Sequence, residues 1–123
     1  MVLLFPERLP GNHAPRGQIE KLAGLVVKAN GATLEWRRDA ENVFAFHVSV
    51  PEGAKELDVS FKFLSATEPD QGRVVVSPEI INLQWQSVSL YPAGWFTRRI
   101  PVSANVTWPV GWKAATALRP AGD

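Results

Sequence analysis

The sequence contains no cysteine, and it has no long hydrophobic run. Without a thiol the chain can form no disulfide bond, thiolate zinc site or cysteine nucleophile. No apolar run approaches the roughly 18 residues that a membrane helix needs, and the apolar run at residues 2–5 is shorter than a signal-peptide core of roughly 7–15 residues. We therefore expect a soluble protein, cytoplasmic or periplasmic, with no membrane partner.

Neither sign of charge is in clear excess. The chain has 13 Lys and Arg residues against 12 Asp and Glu residues, a formal net charge of +1, which gives no reason to expect a nucleic-acid partner. Hydrophobic residues make up 46 % of the 123 residues and charged residues 20 %, as in chains that fold. Residues 1–123 are therefore expected to form a single domain.

Histidine is also scarce, with only His13 and His47. A catalytic zinc ion usually takes three protein ligands, and neither histidine begins an H-E-x-x-H motif. We expect both histidines to be solvated or locally hydrogen-bonded, and we expect no metal site in this chain. A G-x-S-x-G elbow and a Gly-rich phosphate loop are also missing, so no catalytic residue is assigned.

Ten prolines and nine glycines interrupt the chain, and the apolar residues between them recur mostly at every second position. Residues 44–50 and 57–63 show the clearest alternation, which is typical of strands with one wet face. We expect these two strands to be hairpin neighbours. The parity of the apolar residues changes near Ser87, which predicts a bulge or strand break there. Residues 18–23 predict one helical turn.

Two further hairpins are expected from turn residues. Asn30 and Gly31 separate strand-like residues 25–29 and 33–37, and Asn-Gly is the dipeptide that two-residue hairpin loops favour. Near the other end, residues 102–108 and 112–118 flank a turn at Pro109, Val110 and Gly111. Seven or eight short strands in all predict an all-β fold, a two-layer antiparallel sheet or β-sandwich.

Five tryptophans are many for a chain of this size. Three of them share the apolar parity of their strands and are expected in the core: Trp36, Trp85 and Trp108. Trp95 and Trp112 flank turns and are expected at the surface. Together with Phe96 they could contact a sugar or another protein.

Several segments resemble one known domain. They read LPGNH at residues 9–13, INLQWQ at 81–86, LYPAG at 90–94, and WPVGW at 108–112 followed by ATAL at 115–118. In their order and spacing they resemble the N-terminal domain of the glycyl aminopeptidase family, family sixty-one of the metallopeptidases. The resemblance covers nearly the whole chain.

The resemblance implies a non-catalytic β domain, truncated at both ends relative to the full family protein. In that family the zinc ion and the H-E-x-x-H helix belong to a later catalytic domain. That domain would be the partner of this chain and would place it near a peptide substrate. Related N-terminal domains can offer polar side chains to the substrate amino group. The alternation at residues 82–86 makes Asn82, Gln84 and Gln86 the candidates, because amide oxygens accept hydrogen bonds from ammonium groups.

A free-standing carbohydrate- or protein-binding β-sandwich that uses Trp95, Phe96 and Trp112 is the alternative, since a sandwich fold hosts many functions. The family usually places a strand before the Pro-Gly segment, and only residues 1–9 precede it here. A missing strand would leave an exposed sheet edge, which predicts weak self-association or dependence on a partner domain.

Overall fold

The computed structural model describes residues 1–68, 70, 73–119 and 121. Its nine strands are β1 (Val2–Leu4), β2 (Leu22–Ala29), β3 (Ala32–Thr33), β4 (Trp36–Arg38), β5 (Ala45–Val48), β6 (Asp58–Phe63), β7 (Val75–Val76), β8 (Ile81–Asn82) and β9 (Tyr91–Pro92). The helical residues of the described part form only short 3-10 turns, at Ile19–Lys21, Trp85–Ser87 and Thr97–Arg99. The prediction of an all-β fold is confirmed, as are the single turn near residue 20 and the break near Ser87.

The strands form three antiparallel sheets. The largest has the order β4-β5-β1-β9, the second β3-β2-β6, and the smallest contains β7 and β8. The predicted pairing of residues 44–50 with 57–63 is wrong, because β5 pairs with β1 and β4 whereas β6 pairs with β2. Alternation fixes which face of a strand is buried, but it does not choose the neighbouring strand.

The hairpin at Asn30 and Gly31 is confirmed. Both residues have positive φ, 50° and 77°, and Ala29 faces Ala32 across the two-residue loop. This is the backbone that the right-handed twist of paired strands requires, and Asn and Gly adopt it at the lowest cost. The strand after the turn is shorter than expected. It leaves the second sheet after Thr33, and the chain enters the first sheet at Trp36.

The core lies between the two larger sheets. Its buried side chains come from β1, the residue after it, β2 and β5: Leu3, Phe5, Leu25, Val27, Phe46 and Val48. Leu3 and Phe46 are cross-strand partners, so β1 and β5 present one continuous apolar face to β2. On β6 the alternate residues Val59, Phe61 and Phe63 are half-buried against the same cluster, as the sequence pattern predicts.

The three tryptophans expected in the core lie at the surface. Trp36 is 37 %, Trp85 38 % and Trp108 45 % exposed. Trp36 lies on β4 at the edge of its sheet, where its indole Nε1 donates a hydrogen bond to the Leu25 carbonyl at 3.1 Å and its ring meets Phe46 edge-on. Trp85 lies in the 3-10 turn, where the strand alternation that suggested burial has already ended.

The second predicted hairpin is also wrong. No residue from 101 to 119 belongs to a strand, although the turn itself forms, with the Trp112 N–H donating to the Pro109 carbonyl at 3.2 Å. An alternating segment needs a partner strand to become a strand itself, and this one pairs with none of the described strands. The described helical turns are too short to cross a membrane.

Candidate functional site

The predicted substrate-contact residues lie where β8 ends and a 3-10 turn begins. Asn82 is the last residue of β8, and its side-chain amide donates to the Arg73 carbonyl at 2.9 Å. Gln84 precedes the turn and Gln86 lies within it, with 3.5 Å between Gln86 Nε2 and Gln84 Oε1. The turn replaces the expected alternation, so the three amides do not share one strand face.

Next to these amides lies a buried hydroxyl group. The Ser87 side chain is buried, and its Oγ has no hydrogen-bond partner among the described residues. Buried polar groups in folded proteins are nearly always hydrogen-bonded, and an unsatisfied one costs about 1–3 kcal/mol. The segment from Asn82 to Ser87 therefore combines two exposed amides, Asn82 and Gln86, and the half-buried amide of Gln84 with a buried hydroxyl group that has no partner among the described residues.

The predicted surface aromatics form two separate features along the chain. Trp95 and Phe96 follow the turn after β9 and are 67 % and 65 % exposed, so their prediction as surface residues is confirmed. Trp112 is only half-buried in the described structure, at the second predicted turn. An exposed aromatic pair presents a large apolar area with little conformational entropy to lose on binding.

Exposed apolar side chains are concentrated in the later part of the chain. Among the described residues Val75 is the last buried hydrophobic residue, and four large exposed hydrophobics precede it: Met1, Trp36, Val43 and Leu64. The larger number follow it: Val76, Ile80, Ile81, Leu83, Trp85, Trp95, Phe96, Val102, Val106, Trp108, Val110 and Leu118. We call this set the apolar C-terminal surface. Sequence periodicity missed it, because an alternating pattern signals burial and does not say which molecule provides it.

One histidine is locally hydrogen-bonded and the other is exposed. His47 Nε2 lies 2.6 Å from Asp39 Oδ2, and Asp39 Oδ1 accepts hydrogen bonds from the backbone N–H groups of Glu41 and Asn42. The hydrogen bond to His47, followed by the two backbone hydrogen bonds, holds the pKa of Asp39 far below its ordinary value of 3.8. The His13 side chain is exposed.

The described residues do not fit a zinc site, since no three His, Asp or Glu side chains among them converge. Two shallow hollows of about 250 and 310 Å³ are present instead. The smaller lies beside the Asn30 turn and the larger beside Trp36 and His47. The hollows and the predicted contacts are separate features, because neither hollow is lined by a predicted contact residue, that is by Asn82, Gln84, Gln86, Trp95, Phe96 or Trp112.

Comparisons with known proteins identify the family. The Peptidase M61 N-terminal domain matches this chain over residues 1–123. A search of curated proteins gives no match. The match spans the whole chain, and it agrees with the resemblance carried by the segments at residues 9–13, 81–86 and 108–112. This chain belongs to the Peptidase M61 N-terminal domain family.

Proposed function

We propose that this chain is the non-catalytic N-terminal domain of a glycyl aminopeptidase-like zinc metallopeptidase, that it packs beside the catalytic domain, and that it shapes the substrate cleft. Membership of a peptidase N-terminal domain family implies a catalytic domain in the parent protein. In this proposal the zinc ion belongs to that catalytic domain. The present chain contributes stability and surface, and no reaction step is assigned to it.

The apolar C-terminal surface is the observation that carries this proposal. Large apolar side chains are exposed at twelve positions after Val75 against four before it, and exposed apolar side chains gain stability when a partner removes them from water. Full burial of one large apolar side chain is worth about 1.5–3 kcal/mol. A neighbouring domain that covered several of these side chains would therefore supply ample stabilisation.

The packing can be tested in the parent protein with two matched substitutions. Phe96→Ser removes an aromatic ring from the apolar C-terminal surface, whereas Val43→Ser removes an exposed side chain from the opposite part of the sequence. We expect Phe96→Ser to lower the free energy of unfolding by about 1.5–3 kcal/mol, because the ring would be buried against the catalytic domain. Val43→Ser should change it by less than about 0.5 kcal/mol. Urea denaturation measures both.

Equal small effects of the two substitutions would contradict the packing. Trp95 and Phe96 are adjacent and exposed, which also suits a free-standing carbohydrate- or protein-binding module. That second function predicts a different outcome for the same variant. Phe96→Ser would then leave the free energy of unfolding unchanged and would weaken binding to an oligosaccharide array or to a protein partner.

A further inference from the structure

The segment from residue 101 to residue 118, which we call the arm, contains no strand and no helix, and a turn at Val110 and Gly111 divides it. In the arm the structure shows two hydrogen bonds, from the Trp112 N–H to the Pro109 carbonyl and from the Leu118 N–H to Thr116 Oγ1, at 3.2 and 3.1 Å. All of its described residues except Trp112 are exposed. Its peptide groups are therefore free to pair with another strand.

The sequence of the arm nevertheless has the pattern of a half-buried strand. Apolar residues occupy every second position from Val102 to Trp108, with Ser103, Asn105 and Thr107 between them. In an extended strand the two sets point to opposite faces, so one face of this segment is apolar and the other polar. Val102, on the apolar face, is 83 % exposed. The segment has both features of a strand that is added to a foreign sheet: unpaired backbone groups and alternate side chains that fit pockets.

The charge around the arm indicates the kind of surface that receives it. Residues 80–122 contain no Asp or Glu, and their charged residues are all basic: Arg98, Arg99, Lys113 and Arg119. The rest of the chain mixes both signs and holds all 12 acidic residues. Complementary potentials favour correct association and exclude wrong partners. A sheet edge flanked by Asp and Glu side chains is therefore the complementary surface.

The sheet edges of this chain are a poor match. β3, β4, β6 and β9 are the outer strands of the two larger sheets, and the arm pairs with none of them. β7 and β8 are likewise the outer strands of the smallest sheet, and a second copy would offer the same six edges. A second copy is not tethered to the arm, so its edges are present at a lower effective concentration than those of a domain in the same polypeptide. The next domain of the parent polypeptide is also tethered to the arm, and it offers different edges.

We propose that the arm, through residues 102–108, adds a β-strand to an acidic-flanked sheet edge of the catalytic domain that follows in the parent protein. This inference rests on the proposed function, and it names the element that joins the two domains. Seven residues of strand span about 23 Å, enough for an ordinary pairing. The apolar side chains from Val102 to Trp108 pack on the catalytic domain, and Ser103, Asn105 and Thr107 face solvent.

Hydrogen exchange of the full-length parent protein tests this pairing. We expect alternate amides between residues 102 and 108 to be protected, because only every second N–H of an edge strand points to its neighbour. Val106→Asn places an amide on the apolar face and should raise exchange at these sites about tenfold. Thr107→Asn places the same side chain on the polar face and should leave exchange unchanged. Free exchange throughout residues 102–108 in the unmodified protein would overturn the inference.

Cross-linking identifies which surface holds the arm. A photoreactive phenylalanine analogue in place of Ala104 should link to residues beyond 123 of the same polypeptide, in a strand flanked by acidic residues. Links to residues 1–100, or protection that rises with protein concentration, would overturn the inference, since they assign the arm to its own domain or to a second copy. Stability unaffected by Phe96→Ser would refute the packing of the proposed function alone, so the two failures are distinguishable.

Discussion

Asp39 fixes the turn between β4 and β5. Its backbone N–H donates to the Ala45 carbonyl at 2.9 Å, while its carboxylate accepts from Glu41, Asn42 and His47. One side chain therefore stabilises the turn backbone and joins it to β5. The contact between Asp39 and His47 could not be predicted from the sequence. It depends on the pairing of β4 with β5, in which Arg37 lies opposite His47.

The lowered pKa of Asp39 predicts a pH-dependent contribution to stability. The pKa is lower in the folded state than in the unfolded chain, so this contribution is complete above about pH 4–5 and is lost as the pH falls through the folded pKa. We expect Asp39→Asn to lower Tm at pH 6–7. The difference from the unmodified protein should shrink below about pH 4. Calorimetry from pH 2 to pH 7 measures it.

Glu41→Gln is the control, since it neutralises another acidic side chain in the same turn. The Glu41 carboxylate makes no hydrogen bond among the described residues. It should give nearly the Tm profile of the unmodified protein. A Tm difference for Asp39→Asn that stayed constant down to pH 2 would show that the charge of the Asp39 carboxylate contributes nothing to the stability of the folded state.

A second single residue, Gln84, leads to a kinetic prediction. If its amide oxygen accepts a hydrogen bond from the substrate ammonium group, Gln84→Ala removes a charge-assisted bond of about 1.5–3 kcal/mol. In the parent peptidase we therefore expect KM to rise about tenfold or more, with a smaller fall in kcat. Steady-state kinetics with a short peptide substrate measures both, and Gln18→Ala, an amide beside a different 3-10 turn, is the control. An unchanged KM would remove Gln84 from the cleft.

The elements differ in how much of their structure could be predicted from the sequence. The hairpin of β2 and β3 was predictable because Asn30 and Gly31 determine a local backbone conformation. The faces of β5 and β6 were predictable too, because the side chains of a strand alternate whatever its neighbour is. The partners of those strands were not, because β1 pairs with β5 across more than forty residues and no local signal marks that contact.

The candidate contact residues show the same difference between local signals, which the sequence contains, and long-range packing, which it does not. Trp95 and Phe96 were predictable as exposed because they follow a turn. Trp85 and Trp108 are exposed although the alternation around them predicts burial. Alternation marks an apolar face, but it does not say which molecule covers that face. The end of β8 at Asn82 and the 3-10 turn after it depend on packing that the sequence pattern does not encode. The sequence thus indicated the contact segments better than it indicated their geometry.

The whole molecule is divided between a part that contains the core and a part that exposes apolar side chains. The buried cluster uses residues up to Val48, and Val74 and Val75 are buried beside the smallest sheet. The structure already places β1 before the Pro-Gly segment. The expectation of weak self-association stays a prediction, and its physical basis is now the apolar C-terminal surface.

We expect the 123-residue chain alone to self-associate as its concentration rises, because apolar patches of this kind are covered when a partner is present. Size-exclusion chromatography with light scattering over a hundredfold range of concentration measures the mass. The parent protein is the comparison and should show no such rise from this surface. A constant monomer mass for the 123-residue chain would contradict the prediction.

The central position of β1 has a consequence for the order of folding. The Met1 amino group donates to the Val48 carbonyl, a contact between residues 47 positions apart, and β1 also pairs with β9, where Leu3 lies opposite Pro92. Such contacts close long loops, whose entropy must be lost before the contact stabilises anything. The Asn30 hairpin can form within microseconds, whereas the four-stranded sheet must wait for Tyr91 and Pro92. Within this sheet β1 precedes its partners in the chain and yet is among the last strands to be fully paired.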